Sequence, residues 1–369
     1  MRILYLPNSK SQQRQFEKTN VNIYPVRLAM EAEFYRKQGH FVDWYPYWKG
    51  YESIDTYKRW GKADGYDKVI TEPENLPFLT LPRPDRVFTR AKDYTSGNYK
   101  YLPGTHIMSA SGCWWGRCTF CVENRGQGTE GSSNGVATTL EQNSVNRQHL
   151  SPLSYEVRPV EDVIEEIEEC RRLGFKEVFD DSATFPMGAW REKFLQRYRN
   201  IQGRPVFSCN ARICNQDFMA LKQANFRMLL FGIESASQYT LDRINKGVKI
   251  EDIIPTLKKA TEAGIEVHTA WMFGYSWESD KDAINTLRLI HYLLKKGYSK
   301  TAQASFYNPQ NKEKEGNYSS QSNENHRKYI KKIYDVAIYP EFWFNKLRDI
   351  RNLDDLKYLW LQIKKGIQR

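Results

Sequence analysis

Long apolar runs are missing from this 369-residue chain. No stretch reaches the roughly eighteen residues that a helix needs to cross a bilayer, and the opening MRILYLPNSKSQQRQF turns polar too soon for a signal peptide. The expectation is a cytoplasmic, water-soluble protein. Cysteine and histidine are scarce, six of each, and in a reducing compartment such thiols stay free rather than pair. Zinc-finger spacing is lacking too: one close C-x2-C occurs, and His106 and His149 stand at no finger distance from it. No internal repeat is evident, which argues against a solenoid or array. Acidic residues fall short of basic ones, 44 against 55, for a formal charge of +11. That excess suits an anionic partner such as nucleic acid, a phosphorylated metabolite or an acidic reductase. The bland alternative is a solvated helical surface, as at Arg327-Lys328, Lys331-Lys332 and Lys364-Lys365.

What is present is a rhythm of short strands and amphipathic helices. The first hundred residues open as strand Ile3–Leu6, helix Val26–Lys37 and strand Phe41–Tyr45 after a Gly39 stop, then strand Tyr66–Thr71. The proline-rich segment EPENLPFLTLPRPDR (72–86) suits an extended strap, and a boundary follows near residue 100. Next come strands His106–Ser111, Glu177–Phe179, Pro205–Asn210, Arg227–Glu234, Glu266–Phe273 and Ala302–Tyr307. Between them lie helices Val160–Leu173, Ala189–Asn200, Gln216–Gln223 and Lys281–Lys296, with a helical region from Thr240 to Ala263. Six β-α units imply a parallel sheet with helices outside it, short of the eight that close a barrel. The polar run from Val122 to Tyr155 is expected to be a lid or disordered, and 308–326 a flexible connector to a helical extension, 327–369. The expected division is a small Rossmann-like β-α-β domain (1–100), a core barrel (101–310), and a linker with C-terminal helices (311–369).

The segment SGCWWGRCTFCVE places Cys113, Cys118 and Cys121 where the first barrel strand ends. Ligands gather at that edge, because loops converge there and helix N-termini present free N–H groups. Soft sulfur ligands select zinc, copper(I) or iron–sulfur. A structural zinc site wants four protein ligands, whereas a [4Fe–4S] cluster held by three cysteines keeps one iron for an outside ligand. A plain packed loop is the third possibility. Cys170 sits on an apolar helix stripe, and Cys209 and Cys214 read as packed small hydrophobes unless a further thiol joins them.

GCWWGRCTFCVE, followed by DDSATF, FGIESASQYTLDRINKG and FGYSWES, resembles the radical S-adenosylmethionine (SAM) superfamily, in particular the branch with a cobalamin-binding domain before the radical domain. The superfamily spacing is C-x3-C-x2-C; here four residues separate Cys113 from Cys118. The resemblance implies a partial (β/α)6 barrel, a [4Fe–4S] cluster on Cys113, Cys118 and Cys121, and SAM bound at its open iron. It also implies reductive cleavage of SAM to a 5′-deoxyadenosyl radical that abstracts hydrogen from an unidentified substrate. Phe120 matches the position near adenine. Asp180, Asp181 and Ser182 stand where the methionine amino group is gripped, partly through backbone carbonyls. Arg212 is placed for the SAM carboxylate, Glu234 and Ser235 for ribose or methionine, and Gly274 for close backbone approach to adenine. Glu278 reads as a charge at a helix N-terminus, and Gln303 could point into the barrel.

No Asp-x-His-x-x-Gly motif is present, and three strands fit where a cobalamin domain commonly has five, so the N-terminal domain reads as truncated. Cobalamin and methyl transfer rank below a generic radical modification, with flavodoxin or ferredoxin as the type of electron donor. The rival reading is a zinc-stabilised, basic nucleic-acid-binding protein, with the aromatics of Trp44–Tyr57 and Phe342–Trp343 available for stacking.

Overall fold

In the computed structural model the described residues are 1–6, 23–45, 65–71, 73–74, 76–94, 99–121, 155–307 and 324–367, with side chains described to 360. Strand β1 (Arg2–Tyr5) is followed by helix α1 (Val26–Lys37), β2 (Phe41–Trp44) and β3 (Lys68–Ile70). These three strands are parallel in the order β2-β1-β3. The proline-rich strap, as described, is extended apart from a 3-10 turn at Phe78–Thr80. It is tied to the next layer by Arg86, whose guanidinium shares the buried Glu166 carboxylate with Arg158.

The second sheet begins at β4 (Gly104–Ile107). A short antiparallel pair follows, β5 (Ala110–Ser111) with β6 (Glu156–Val157). Then come α2 (Val160–Arg172), β7 (Glu177–Asp180), α3 (Ala189–Arg199), β8 (Val206–Ala211), α4 (Phe218–Gln223) and β9 (Phe226–Glu234). Helices α5 (Gln238–Arg243) and α6 (Ile250–Glu262) lead to β10 (Glu266–Phe273), α7 (Asp280–Lys296) and β11 (Thr301–Phe306). Helices α8 (Arg327–Lys332), α9 (Pro340–Arg348) and α10 (Leu353–Ile367) close the chain. No helix of the described residues is long and apolar enough to cross a membrane.

The six long strands run parallel in the order β11-β10-β9-β8-β7-β4. When parallel neighbours follow chain order, right-handed crossovers put every helix on one face, and the sheet curls around the other. The two faces differ in chemistry. Val178, Phe207, Phe231, Val267 and Trp271 meet Val163, Ile167, Phe194, Leu257 and Ile290 of the helices in one apolar core. That core continues into the first sheet through Ile3, Tyr5 and Ala29. Residues alternating with these, such as His106, Asn210, Glu234, His268 and Gln303, face the concave side. Gln303 is exposed there, in register with Ala270.

One end of this half-barrel is sealed. Arg227 bonds Glu177 (2.6 Å) and Glu266 (2.6 Å), and Lys100 reaches Glu266 (3.3 Å) and Asp355 of α10 (2.5 Å). The Tyr99 ring lies against Gly104, where a Cβ would stand 2.5 Å from it. The cysteine loop follows β4 at the opposite end, where the strands' C-terminal ends lie.

Several expectations shift in detail. The first barrel strand runs Gly104–Ile107, because the chain leaves the sheet at Met108 and pairs at Ala110 with β6 instead. Helix α4 begins at Phe218 since the Asp217 side chain caps Ala220 N–H at 2.9 Å. The helical region from Thr240 to Ala263 breaks between Ile244 and Lys249, where Asn245 and Gly247 take positive φ. The expected lid between Val122 and Tyr155, most of the connector 308–326 and most of Trp44–Tyr57 lie outside the described residues.

Candidate functional site

The cysteine loop is anchored before it begins. Asp180, fully buried at the end of β7, accepts from Ser109 N–H (3.1 Å), Ser109 Oγ, Ser182 N–H (3.0 Å) and Ser182 Oγ (2.6 Å). Burial pushes its carboxyl up from the ordinary value, against these bonds. Ser182 Oγ also accepts from Ala110 N–H at 2.8 Å, and its carbonyl accepts from Asn210 Nδ2 at 2.8 Å. The side chains of Asp180 and Ser182 are therefore spent on holding the loop. Of the DDS trio, Asp181 alone presents an open carboxylate, 45% exposed and 3.6 Å from His106 Nδ1.

The loop itself is wrapped by Gly112 and Gly116 at φ of 78° and 56°, conformations glycine takes without a Cβ penalty. Trp115 donates Nε1–H to Asn245 O at 2.9 Å, and its ring occupies the space a Cβ on Gly247 would fill, 2.1 Å away. Thr119 N–H reaches Ile244 O at 3.0 Å. The four-residue spacer Trp114-Trp115-Gly116-Arg117 is thus keyed into the break between α5 and α6, which accounts for a loop longer than C-x3-C. Cys113 Sγ lies 3.2 Å from Thr184 Oγ1, and Cys118 is buried with Arg212 Nη1 at 3.9 Å. Arg212 also donates to Lys246 O and lies over the rings of Trp115 (4.8 Å) and Trp114 (5.5 Å). Burial raises the Cys118 thiol, while Lys246 and Arg212 pull the other way.

Among the described residues, no three His, Cys, Asp or Glu side chains stand close enough to hold a single metal ion. The donor chemistry fits an inorganic cluster: three soft sulfur donors share one braced loop, with Arg212 and Lys246 as positive neighbours of Cys118. Cys170 and Cys209 are buried with thiols pushed up, Cys170 to about 12, and Cys214 donates to Arg212 O.

Glu234 ends β9 at φ 73° and is paired with Lys246 at 2.8 Å, both side chains at least nine-tenths buried. Gly232 makes room, since a Cβ there would stand 2.6 Å from Glu234 Oε1. Ser235 is placed otherwise than expected. It is fully buried, accepts from Ser237 N–H at 3.1 Å and stands 3.4 Å from Thr286 Oγ1 on α7, so its hydroxyl serves the helix layer. Phe120 and Trp277 both pack against the cluster of Leu241, Ile244, Tyr275 and Tyr307, with Lys246 Nζ 6.0 Å from the Phe120 ring centre. In this aromatic tier the Tyr275 and Tyr307 hydroxyls and Trp277 Nε1 are buried with no hydrogen-bond partner among the described residues. Orphaned buried donors are uncommon in folded proteins, and burial pushes the Tyr275 hydroxyl well up. Gly274 turns the chain at φ 95° against the Phe306 ring and donates its N–H to Glu278 Oε2 at 2.7 Å. Glu278, just before the N-cap Ser279 of α7, is buried with a carboxyl raised by that burial, and it holds the turn.

The sequence reading missed Lys246 and the Tyr275–Trp277–Tyr307 tier. A signal for Lys246 existed: a carboxylate ending a buried strand requires a cation, and the same motif supplies one twelve residues on.

The description of the Radical SAM superfamily matches residues 107–290, from the end of β4 into α7. The chain belongs to the radical SAM superfamily. A curated methylthiotransferase candidate from Methanocaldococcus jannaschii is 25% identical over 239 residues, covering 62% of this chain and 46% of that protein, so the chain spans less than half of that relative. The cobalamin-dependent SAM radical enzyme OxsB, solved with aqua-cobalamin bound, matches at TM-score 0.56 and 11% identity over 91% of this chain and 57% of that one. The radical SAM methyltransferase TsrM of Kitasatospora setae matches at TM-score 0.42 and 17% identity over 55% of this chain and 36% of that one. The OxsB likeness is one of fold: the curled parallel half-barrel is the radical SAM partial barrel.

Proposed function

We propose that Cys113, Cys118 and Cys121 hold a [4Fe–4S] cluster with one iron open, and that SAM binds there between the cysteine loop and the concave ends of β7 to β11. When bound, the cluster supplies the electron that breaks the C5′–S bond of SAM, giving methionine and a 5′-deoxyadenosyl radical that takes hydrogen from the substrate. The observation carrying this reading is the cysteine loop braced at the open edge of the sheet, with Arg212 and Lys246, cations that do not ligate iron, as the immediate positive neighbours of Cys118. Phe120 and the Tyr275–Trp277–Tyr307 tier take the adenosine half, giving the orphaned hydroxyls and indole N–H polar partners. Gly274 lets the backbone approach closely, Asp181 meets the amino group, and Arg212 and Glu234 orient the carboxylate and ribose end.

Anaerobic purification tests it. About four iron and four sulfide per chain, with 5′-deoxyadenosine formed from SAM and dithionite, is the expected result, lost on Cys→Ala at any of the three positions. A colourless, zinc-loaded protein that binds nucleic acid overturns it in favour of the non-catalytic reading. The substrate is unidentified, the physiological electron donor is of the flavodoxin or ferredoxin type, and the excess positive charge suits an anionic partner. A cobalamin-assisted methyl or methylthio transfer is the second reading, favoured by the fold likeness to OxsB, which spans the N-terminal sheet as well as the barrel. Titration with aquacobalamin, followed by its visible spectrum, decides between them.

A further inference from the structure

The short segment that precedes and enters α8, His326 to Tyr329, grips three strand-end features of the barrel at once. His326, 2% exposed, places Nδ1 2.8 Å from Glu278 Oε2 and Nε2 3.1 Å from Asp280 Oδ1. The same Glu278 oxygen accepts the Gly274 N–H at 2.7 Å. Tyr329 stacks on Phe273, the last residue of β10, at 5.9 Å, and its hydroxyl donates to Asp280 at 3.2 Å. Arg327 lies over Phe306, the last residue of β11, at 4.1 Å, and Phe306 is the ring on which Gly274 rests. Carboxylates only accept. His326 therefore meets Glu278 Oε2 through a ring nitrogen that can donate to it. That extra hydrogen bond fixes a buried carboxyl whose other duty is the Gly274 amide.

We propose that His326 is a positioning residue for SAM: acting through Glu278, it sets the Gly274 turn against which the adenosine half binds. This rests on the SAM reading above. His326 acts through Glu278, so its loss is expected to change how tightly SAM is held and to leave cluster assembly alone.

The test compares the full chain with His326→Ala, His326→Gln and Tyr329→Phe, each reconstituted anaerobically. His326→Ala is expected to raise the SAM KM for 5′-deoxyadenosine formation about tenfold, with iron content unchanged and kcat within about twofold. His326→Gln, which keeps a donor toward Glu278, recovers much of the loss, and Tyr329→Phe gives a smaller rise. An active wild type whose His326→Ala and His326→Gln variants keep the wild-type KM overturns the proposal. So does a loss of iron or kcat in parallel with KM, since that marks a general structural role. Should His326→Ala fail to fold, an unchanged KM in Tyr329→Phe overturns it equally. A wild type without iron or SAM cleavage defeats the cofactor reading itself.

Discussion

Removing the Lys246 ammonium leaves Glu234 charged, buried and alone at the end of β9. At 2.8 Å and an effective dielectric near 20, the gross attraction of this pair is about 6 kcal/mol. Desolvation of two nearly buried ions offsets much of it, but breaking one side of such a pair typically costs about 3–5 kcal/mol, because the remaining charge is uncompensated. Lys246→Met, which keeps an unbranched apolar stem, is therefore expected to lose that amount. Lys246→Met with Glu234→Gln recovers most of it, since no charge is then stranded. Urea unfolding followed by tryptophan fluorescence measures these two variants and the Glu234→Gln single, and the double-mutant cycle gives the coupling, expected at about 2 kcal/mol or more. A Lys246→Met loss under about 1 kcal/mol, or a double variant no better than the single, refutes the reasoning. The double variant serves a second purpose: stable protein with weakened SAM binding separates the pair's role at the site from its role in folding.

Two further outcomes follow from the packing. Gly274→Ala places a Cβ 2.2 Å from the Phe306 ring at φ 95°, so the turn must shift, and the SAM KM should rise well beyond tenfold with iron retained. Gly203→Ala, also at positive φ but with nothing within 4 Å, is the control expected to cost only about 1–2 kcal/mol of backbone strain and no affinity. Glu166 is fully buried; desolvation raises its carboxyl, but Arg158 and Arg86 outweigh that and hold it below the ordinary value. A carboxyl depressed in the folded state contributes stability above its unfolded pKa, about 4.3, and that contribution is lost as pH falls through the folded value. Glu166→Gln should lose about 3–5 kcal/mol at pH 7, a gap that narrows on acidification below pH ~4; a pH-independent gap would contradict this.

Much of the architecture was legible in the chain. Alternation of apolar residues at periods of two and near 3.6 is a property of consecutive residues, so all six barrel strands and the helices between them could be placed to within a few positions. The C-x4-C-x2-C segment stood out as a group of soft sulfur donors, and its place after the first strand put it at the open edge. Which polar groups remain available there was another matter. Asp180 and Asp181 are adjacent and chemically alike, yet one is consumed by Ser109, 71 residues away in the chain, and the other is open. Ser235 looked like a partner of Glu234, but Glu234 takes a positive φ and Ser235 turns into the helix layer. The keying of Trp115 into Gly247 and of His326 onto Glu278 likewise joins distant segments. Local pattern determined the elements and their order. The tertiary structure decided which side chains are already satisfied, because hydrogen-bond and charge partners are settled by contacts across the barrel that no window of neighbouring residues contains.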